Sequence, residues 1–200
     1  ERLAGGKADD QSYKLTVSAN GVNISSSGEA GLFYGTRTLL QLLKRHGDKV
    51  YINHLTISDK PDIGQRAAHY DTKHHQDKYE YVQSFIRDLA DYKINMLLWE
   101  WEDKFEYPSH PEIGAPGAFT KEQMQALTAY ARKYHVQIVP MVQGLGHVSF
   151  ILKWPQFAHV REIPSSNWEV CPLKEGSYDL LFELWKDAMD ATPGSKYMHI

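Results

Sequence analysis

The chain has 200 residues, 42% hydrophobic and 24% charged, an ordinary balance for a globular protein with room for one large or two small domains. A formal charge of −3 leaves no basic footprint for a nucleic-acid partner, and no apolar run reaches the roughly 18 residues that a membrane span requires. The lone cysteine, Cys171, excludes an internal disulfide framework and reads as structural.

In chain order, Ser12–Val17 alternates polar and apolar residues, Asn20-Gly21 is a hairpin turn signal, and Val22–Ser25 supplies the returning strand. Gly28–Gly47 predicts a helix with Leu32, Thr36, Leu39, Leu40 and Leu43 on one stripe and Gly47 as the residue that ends it. Val50–Ile57 alternates again as a third strand. Strand, strand, helix, strand makes a small α+β layer over residues 1–60, and Asp59-Lys60-Pro61-Asp62 reads as the linker out of it.

From residue 61 to 200 strands and helices alternate. Arg66–Asp71 is a short strand; Asp77–Tyr92 carries Val82, Phe85, Ile86 and Leu89 at helical spacing; Ile94–Trp101 is a second strand. Thr120 and Gln123 form a capping box for a helix over Thr120–Tyr134, with Met124, Leu127 and Ala131 inward. Val136–Val142 is a third strand, an excursion through Trp154, Trp168 and Cys171 comes next, Tyr178–Ala191 is a third helix, and Lys196–Ile200 opens a fourth strand. This pattern fits half of a (β/α)₈ TIM barrel or part of an open doubly wound sheet. Neither GxGxxG nor GxxxxGK[ST] appears after a strand, which argues against nucleotide binding.

The functional clue is the switch within Lys93–Tyr107, where an apolar run gives way to Trp99, Glu100, Trp101, Glu102 and Asp103. A parallel strand covered on both faces stays apolar, so acids at its carboxyl end place that end in a site or in a solvated loop. Rings beside carboxylates suit a sugar, whose C–H faces stack on aromatic surface while its hydroxyls bond to acids. Polar residues gather after three strands: His69, Tyr70 and Asp71; then Glu100, Glu102 and Asp103; then Gln143 and His147. Barrel active sites are assembled from several strand ends in this way. Arg66 offers five fixed donors for sugar hydroxyls, or pairs with Asp62 or Asp71 on the surface. His147, flanked by Gly144 and Gly146, can orient a carboxylate or be satisfied within its loop. His69, His74, His75 and His147 with the neighbouring acids form an alternative metal-ligand set, although no His-x-His pair stands on the first strand.

At these residues the chain resembles the family 20 glycoside hydrolases, the β-N-acetylhexosaminidases, and within them the divergent hexosaminidase D-like branch. The helix Gly31–Leu43 followed by Asp-x-Pro-Asp resembles the small domain that precedes the barrel in that family. Arg66 and Asp71 fall where the family has Arg-Gly-x-x-x-Asp, with Ala67 in place of the glycine; Asn95–Asp103 resembles the second barrel strand, Ile138–His147 the third, and Tyr197–Ile200 the opening of His-x-Gly-x-Asp-Glu. Met141, Gln143 and Glu100 replace a Glu, an Asp and a His of the common family and point to the divergent branch.

The resemblance implies an exo-acting, retaining hexosaminidase in which the substrate's own 2-acetamido oxygen attacks C1, with the catalytic Asp-Glu pair just past Ile200. Asp103 and His147 would support that pair, Arg66, Glu100, Gln143 and Asp71 would hold the sugar, and Trp99 or Trp101 would offer stacking surface. No cofactor or metal is expected. The partner would be a glycan or glycoconjugate ending in N-acetylhexosamine, and the rest of the barrel would be required. The chain opens at Glu1 rather than Met and reads as the amino-terminal part of a secreted or periplasmic protein. A non-catalytic amino-sugar-binding protein on the same fold and a metal-dependent barrel hydrolase are the alternatives.

Overall fold

The computed structural model describes residues 10–200. The chain divides into two compact units. The first runs through Arg66 and adds Asp88–Asn95; the second comprises Ala67–Arg87 and Met96–Ile200. The first nine residues of the expected 1–60 domain lie outside the described residues.

In the first unit, β1 (Tyr13–Ser18) pairs antiparallel with both β2 (Gly21–Ser25) and β5 (Leu55–Asp59), giving the order β2-β1-β5. The period-two set Tyr13, Leu15 and Val17 faces α1 (Glu29–Leu42), where Tyr34 completes the core with Phe33, Leu39 and Leu42 alongside. Two glycines let the helix lie this close. A Cβ on Gly31 would collide with the Ser12 carbonyl and the Ser26 hydroxyl, and one on Gly35 would stand 2.5 Å from Ile24 Cγ2. The inner face is therefore Gly31, Tyr34 and Gly35, whereas Leu40 and Leu43 of the expected stripe are exposed.

The helix also ends earlier than its periodicity predicts. Leu43 is already extended, and β3 (Lys44–His46) and β4 (Lys49–Tyr51) form a hairpin around Gly47, whose φ of 59° suits the turn. Gly47-Asp48 is a two-residue hairpin signal, and it outcompetes the helical continuation. The predicted third strand accordingly splits between β4 and β5. At the first hairpin the turn residues are Ala19 and Asn20, with Gly21 at φ 123° as the first residue of β2.

In the second unit, β6 (Ala67–Asp71), β7 (Met96–Glu100) and β8 (Gln137–Met141) are parallel, in the order β6-β7-β8. His199 extends the series: its N–H donates to Pro140 O at 2.9 Å, and Val142 N–H donates to His199 O at 3.1 Å. Spatial order follows chain order without reversal, as in a (β/α)₈ barrel and unlike a doubly wound sheet with its switch point. Between the strands lie α2 (Tyr79–Asp91), α3 (Lys121–Arg132) with both capping-box bonds formed by Thr120 and Gln123, a short α4 (Ser149–Leu152) and α5 (Ser177–Ala191). Val82 and Ile86 of α2, Met124, Leu127 and Ala131 of α3, and Leu181, Leu184 and Ala188 of α5 are buried, as their spacing predicts. Among the described residues no helix is long and apolar enough to cross a membrane.

The parallel register aligns Asp71 with Glu100 and Glu100 with Met141. Three carboxyl ends thus form one row, and the loop leaving each strand meets the loops leaving its neighbours.

Candidate active site at the strand carboxyl ends

Glu100, the last residue of β7, is only 2% exposed. A buried carboxylate is costly unless paired and hydrogen-bonded, and both of its oxygens are engaged. Lys73 Nζ lies 2.9 Å from Oε1, Gln143 Nε2 donates to the same oxygen at 2.6 Å, and His69 Nε2 is 3.2 Å from Oε2. Lys73 also lies 3.8 Å from carboxylate oxygens of Asp71 and of Glu102. Its hydrogen bond to Glu100 holds the ammonium above its ordinary pKa, against the lowering effect of burial. Asp71 accepts the Lys73 backbone N–H at 2.9 Å, so the turn after β6 delivers the lysine to the acids. The structure therefore brings Asp71 and Glu100 together through a cation, Lys73, and adds Gln143 through its own bond to Glu100.

Beyond β7 the chain makes a 3₁₀ turn over Glu102–Lys104, and Glu102 adopts a left-handed φ of 45°. Its backbone oxygen accepts the Tyr107 hydroxyl at 3.0 Å, which fixes the turn. Burial pushes the Glu102 carboxyl up to about 7, with the Glu100 and Asp103 charges adding to the rise and Lys73 opposing it. For Asp103 burial also acts upward, but bonds from Lys104 and Lys153, the latter at 3.1 Å, hold the carboxyl below its ordinary value. Lys104 Nζ reaches the Lys73 carbonyl at 3.2 Å and ties Asp103 to the same cluster. Two consecutive acids thus have their proton affinities pushed apart, one a fixed anion and the other a proton holder in the neutral range.

The other expected residues lie elsewhere. Trp99 and Trp101, 0% and 1% exposed, sit in the core: Trp99 Nε1 donates to Thr72 Oγ1 at 3.1 Å, and the ring meets Trp101, Phe119 and Tyr70. Neither ring has a free face: Trp99 lies on β7, which is covered on both sides, and Trp101, just past the strand, packs on Phe105 at 4.8 Å between centroids. Arg66 immediately precedes β6 at its amino end. Its Nε donates to Lys93 O at 2.7 Å, Nη1 to Ile63 O at 2.8 Å and Nη2 to Gln11 Oε1 at 2.8 Å, all within the first unit. His147, at φ 56°, packs its ring on Trp168 at 4.7 Å between centroids. The alternative metal set is not drawn together: among the described residues no group of three or more His, Cys, Asp or Glu side chains converges to hold an ion.

Sequence reasoning passed over Lys73 and gave Trp168 no role. The signal for Lys73 was a cation two residues after Asp71, on a strand end facing the acids of the next strand. For Trp168, the signal was a tryptophan amid the polar residues Ser165-Ser166-Asn167 and Glu169.

Comparison with known proteins gives this geometry a context. The family model described as glycosyl hydrolase family 20, domain 2, matches residues 1–60, and that for the glycosyl hydrolase family 20 catalytic domain matches residues 64–200. Hexosaminidase D of Bos taurus is 28% identical over 136 residues, covering 68% of this chain and 39% of its own length. A beta-hexosaminidase of Vibrio furnissii is 26% identical over 171 residues, covering 72% and 28%. Among solved structures, the Streptomyces plicatus N-acetyl-beta-hexosaminidase in complex with Thio-NAglucal superposes with a TM-score of 0.85 at 27% identity, over 100% of this chain and 46% of that one. The chain spans less than half the length of each of these relatives. The catalytic-domain match, the sequential parallel strands and the polar row at their carboxyl ends agree, and the chain belongs to glycosyl hydrolase family 20.

Proposed function

We propose that the protein carrying this chain is an exo-acting β-N-acetylhexosaminidase that removes terminal N-acetylhexosamine with retention of configuration. The observation that carries the reading is the coincidence of the family 20 catalytic-domain match with the buried Glu100–Lys73–Gln143 cluster at the strand carboxyl ends. In the proposed reaction the substrate's 2-acetamido oxygen attacks C1 while a carboxylic acid protonates the departing glycosidic oxygen, and water then restores the acetamido group with net retention. The acid, and the aspartate that orients the acetamido group, are assigned to the His-x-Gly-x-Asp-Glu segment that Tyr197–Ile200 opens.

Within this chain Glu100 and Gln143 are assigned to sugar hydroxyls, with Lys73, placed by the turn that Asp71 caps, holding the Glu100 side chain in position. Asp103 and His147 are assigned to support of the catalytic carboxylates. Trp99 and Trp101 act as apolar walls that exclude water beneath the sugar, a role their burial supports and free stacking surface does not. Arg66 frames the strand start and leaves the sugar to residues at the other end of β6.

The test is release of p-nitrophenol from p-nitrophenyl N-acetyl-β-D-glucosaminide by the full-length protein, with and without EDTA. Turnover indifferent to the chelator is expected. Binding of N-acetylglucosamine without turnover would instead establish a sugar-binding protein, and activity lost to EDTA and restored by zinc would establish a metal-dependent hydrolase.

A further inference from the structure

In the first unit α1 covers one face of the β2-β1-β5 sheet. Tyr13, Leu15 and Val17 face the helix, so Lys14, Thr16 and Ser18 of the same strand lie on the opposite face. The antiparallel register sets Lys14 directly between Ser25 of β2 and Ser58 of β5. One row across three strands therefore reads hydroxyl, ammonium, hydroxyl, with Cβ atoms about 5 Å apart from strand to strand. The row lines a hollow of about 560 Å³, to which Lys60 adds a second cation and Asp10 and Asp59 add two acids. Both acids are already engaged. Asp10 accepts the Ser27 hydroxyl and, at 2.9 Å, the Ser12 N–H; Asp59 accepts the Tyr13 hydroxyl at 2.7 Å and lies 3.0 Å from Lys93 Nζ. By contrast, among the described residues no carboxylate pairs with the Lys14 or Lys60 ammonium, and the Ser25 and Ser58 hydroxyls make no hydrogen bond.

We infer that this hollow, in the region matched by the family 20 domain 2 model, is a binding site for a sugar that carries a sulfate or phosphate ester. A tetrahedral oxyanion needs donors that converge from one side, which the Ser25–Lys14–Ser58 row supplies, and Lys60 adds charge. The hollow is far larger than a bare oxyanion, and its acids would repel one that entered alone. An attached pyranose meets both conditions. Its ring takes the remaining space, and its hydroxyls donate to Asp10 and Asp59, since an ionised carboxylate has lone pairs beyond those engaged. The floor is three paired strands, and Ser26 fixes the rim by donating to Ser12 O at 2.6 Å and accepting the Gly28 N–H at 3.1 Å. Docking therefore orders little that is not ordered beforehand. The inference is independent of the hexosaminidase reading, because no strand-end residue takes part in it.

The experiment measures binding of glucose 6-sulfate and glucose 6-phosphate to the full-length protein by calorimetry, with glucose, inorganic sulfate and inorganic phosphate as controls. These sugars lack the 2-acetamido group, so the hexosaminidase site does not compete for them. At least one ester should bind about tenfold more tightly than glucose and than its own inorganic anion, and the tighter of the two identifies the ester. Lys14→Met, which keeps the stem and removes the charge, should weaken that ester about tenfold, and Lys14→Arg should retain most of the affinity. Ester binding no tighter than that of the controls, or unchanged by Lys14→Met, would overturn the site. If Lys14→Met does not fold, Lys60→Met decides in the same way from the edge of the hollow. Turnover of p-nitrophenyl N-acetyl-β-D-glucosaminide should be equal in wild type and Lys14→Met, and the binding measurement decides the site whether or not that turnover is seen.

Discussion

Arg66 and Lys73 stand at opposite ends of one short strand, and the difference between them separates framework from site. Arg66 donates to neutral acceptors, chiefly the main-chain carbonyls of Lys93 and Ile63. Lys73 is paired with carboxylates of Glu100, Asp71 and Glu102. A cation on carbonyls chiefly fixes backbone. A cation among acids sets their protonation and orientation, so altering it alters chemistry.

The contrast can be broken most sharply at Arg66. Arg66→Ala removes several charge-assisted bonds at once and should destabilise the protein by about 3–4 kcal/mol in urea unfolding, while kcat/KM at a temperature where the variant is folded stays within about twofold. A large loss of kcat/KM with stability unchanged would put Arg66 back among the sugar ligands. Lys73→Met should cost less in stability, about 2 kcal/mol, because the lysine is partly exposed, but it leaves Glu100 buried without its cation. It should lower kcat/KM at least tenfold and move the Glu102 titration further upward, read by NMR of a carboxyl-labelled protein; an unmoved titration would separate the lysine from the acids.

The smallest effect sharpens the site half of the comparison. Glu102 carries a folded pKa of about 7 against an ordinary value of 4.5, so the folded protein holds this proton more tightly than the unfolded chain. Stability from this group is therefore full below about pH 4.5 and declines as pH rises through about 7. Glu102→Gln should remove that decline and gain about 1–2 kcal/mol at pH 8 relative to pH 5 when compared with wild type. Parallel pH profiles for the two proteins would show that Glu102 does not titrate in this range.

Local periodicity made most of the elements legible from the sequence. The β1–β2 hairpin, the Thr120–Gln123 capping box and the inward faces of α2, α3 and α5 each depend on residues a few positions apart. The α1 boundary was misread because Leu39, Leu40 and Leu43 continue a helical stripe while Gly47-Asp48 demands a turn, and nothing local ranks the two. Site residues were legible as types and not as arrangements. That acids collect at strand ends is visible in the sequence; that Glu100 can be buried is not, since its cation lies 27 residues upstream and arrives only through the parallel register. The same limit hid the tryptophans. Ring–acid alternation in Trp99–Glu102 reads as a surface, and coverage of both faces of β7, with Trp101 packed on Trp99 and Phe105 just beyond the strand, turns the rings into core.

The register itself has a consequence for how the chain reaches its native state. Side chains on a strand alternate between faces, so pairing β7 one residue out of step would exchange Trp99 for Glu100, the last two residues of the strand. Glu100 would enter the space where Trp99 meets Phe119 and Tyr70, without Lys73, and a tryptophan would meet the lysine. Such a misaligned sheet is penalised at two positions at once. The adjacent ring and acid at the end of β7 therefore make a misregistered pairing unfavourable on both faces of the sheet at once.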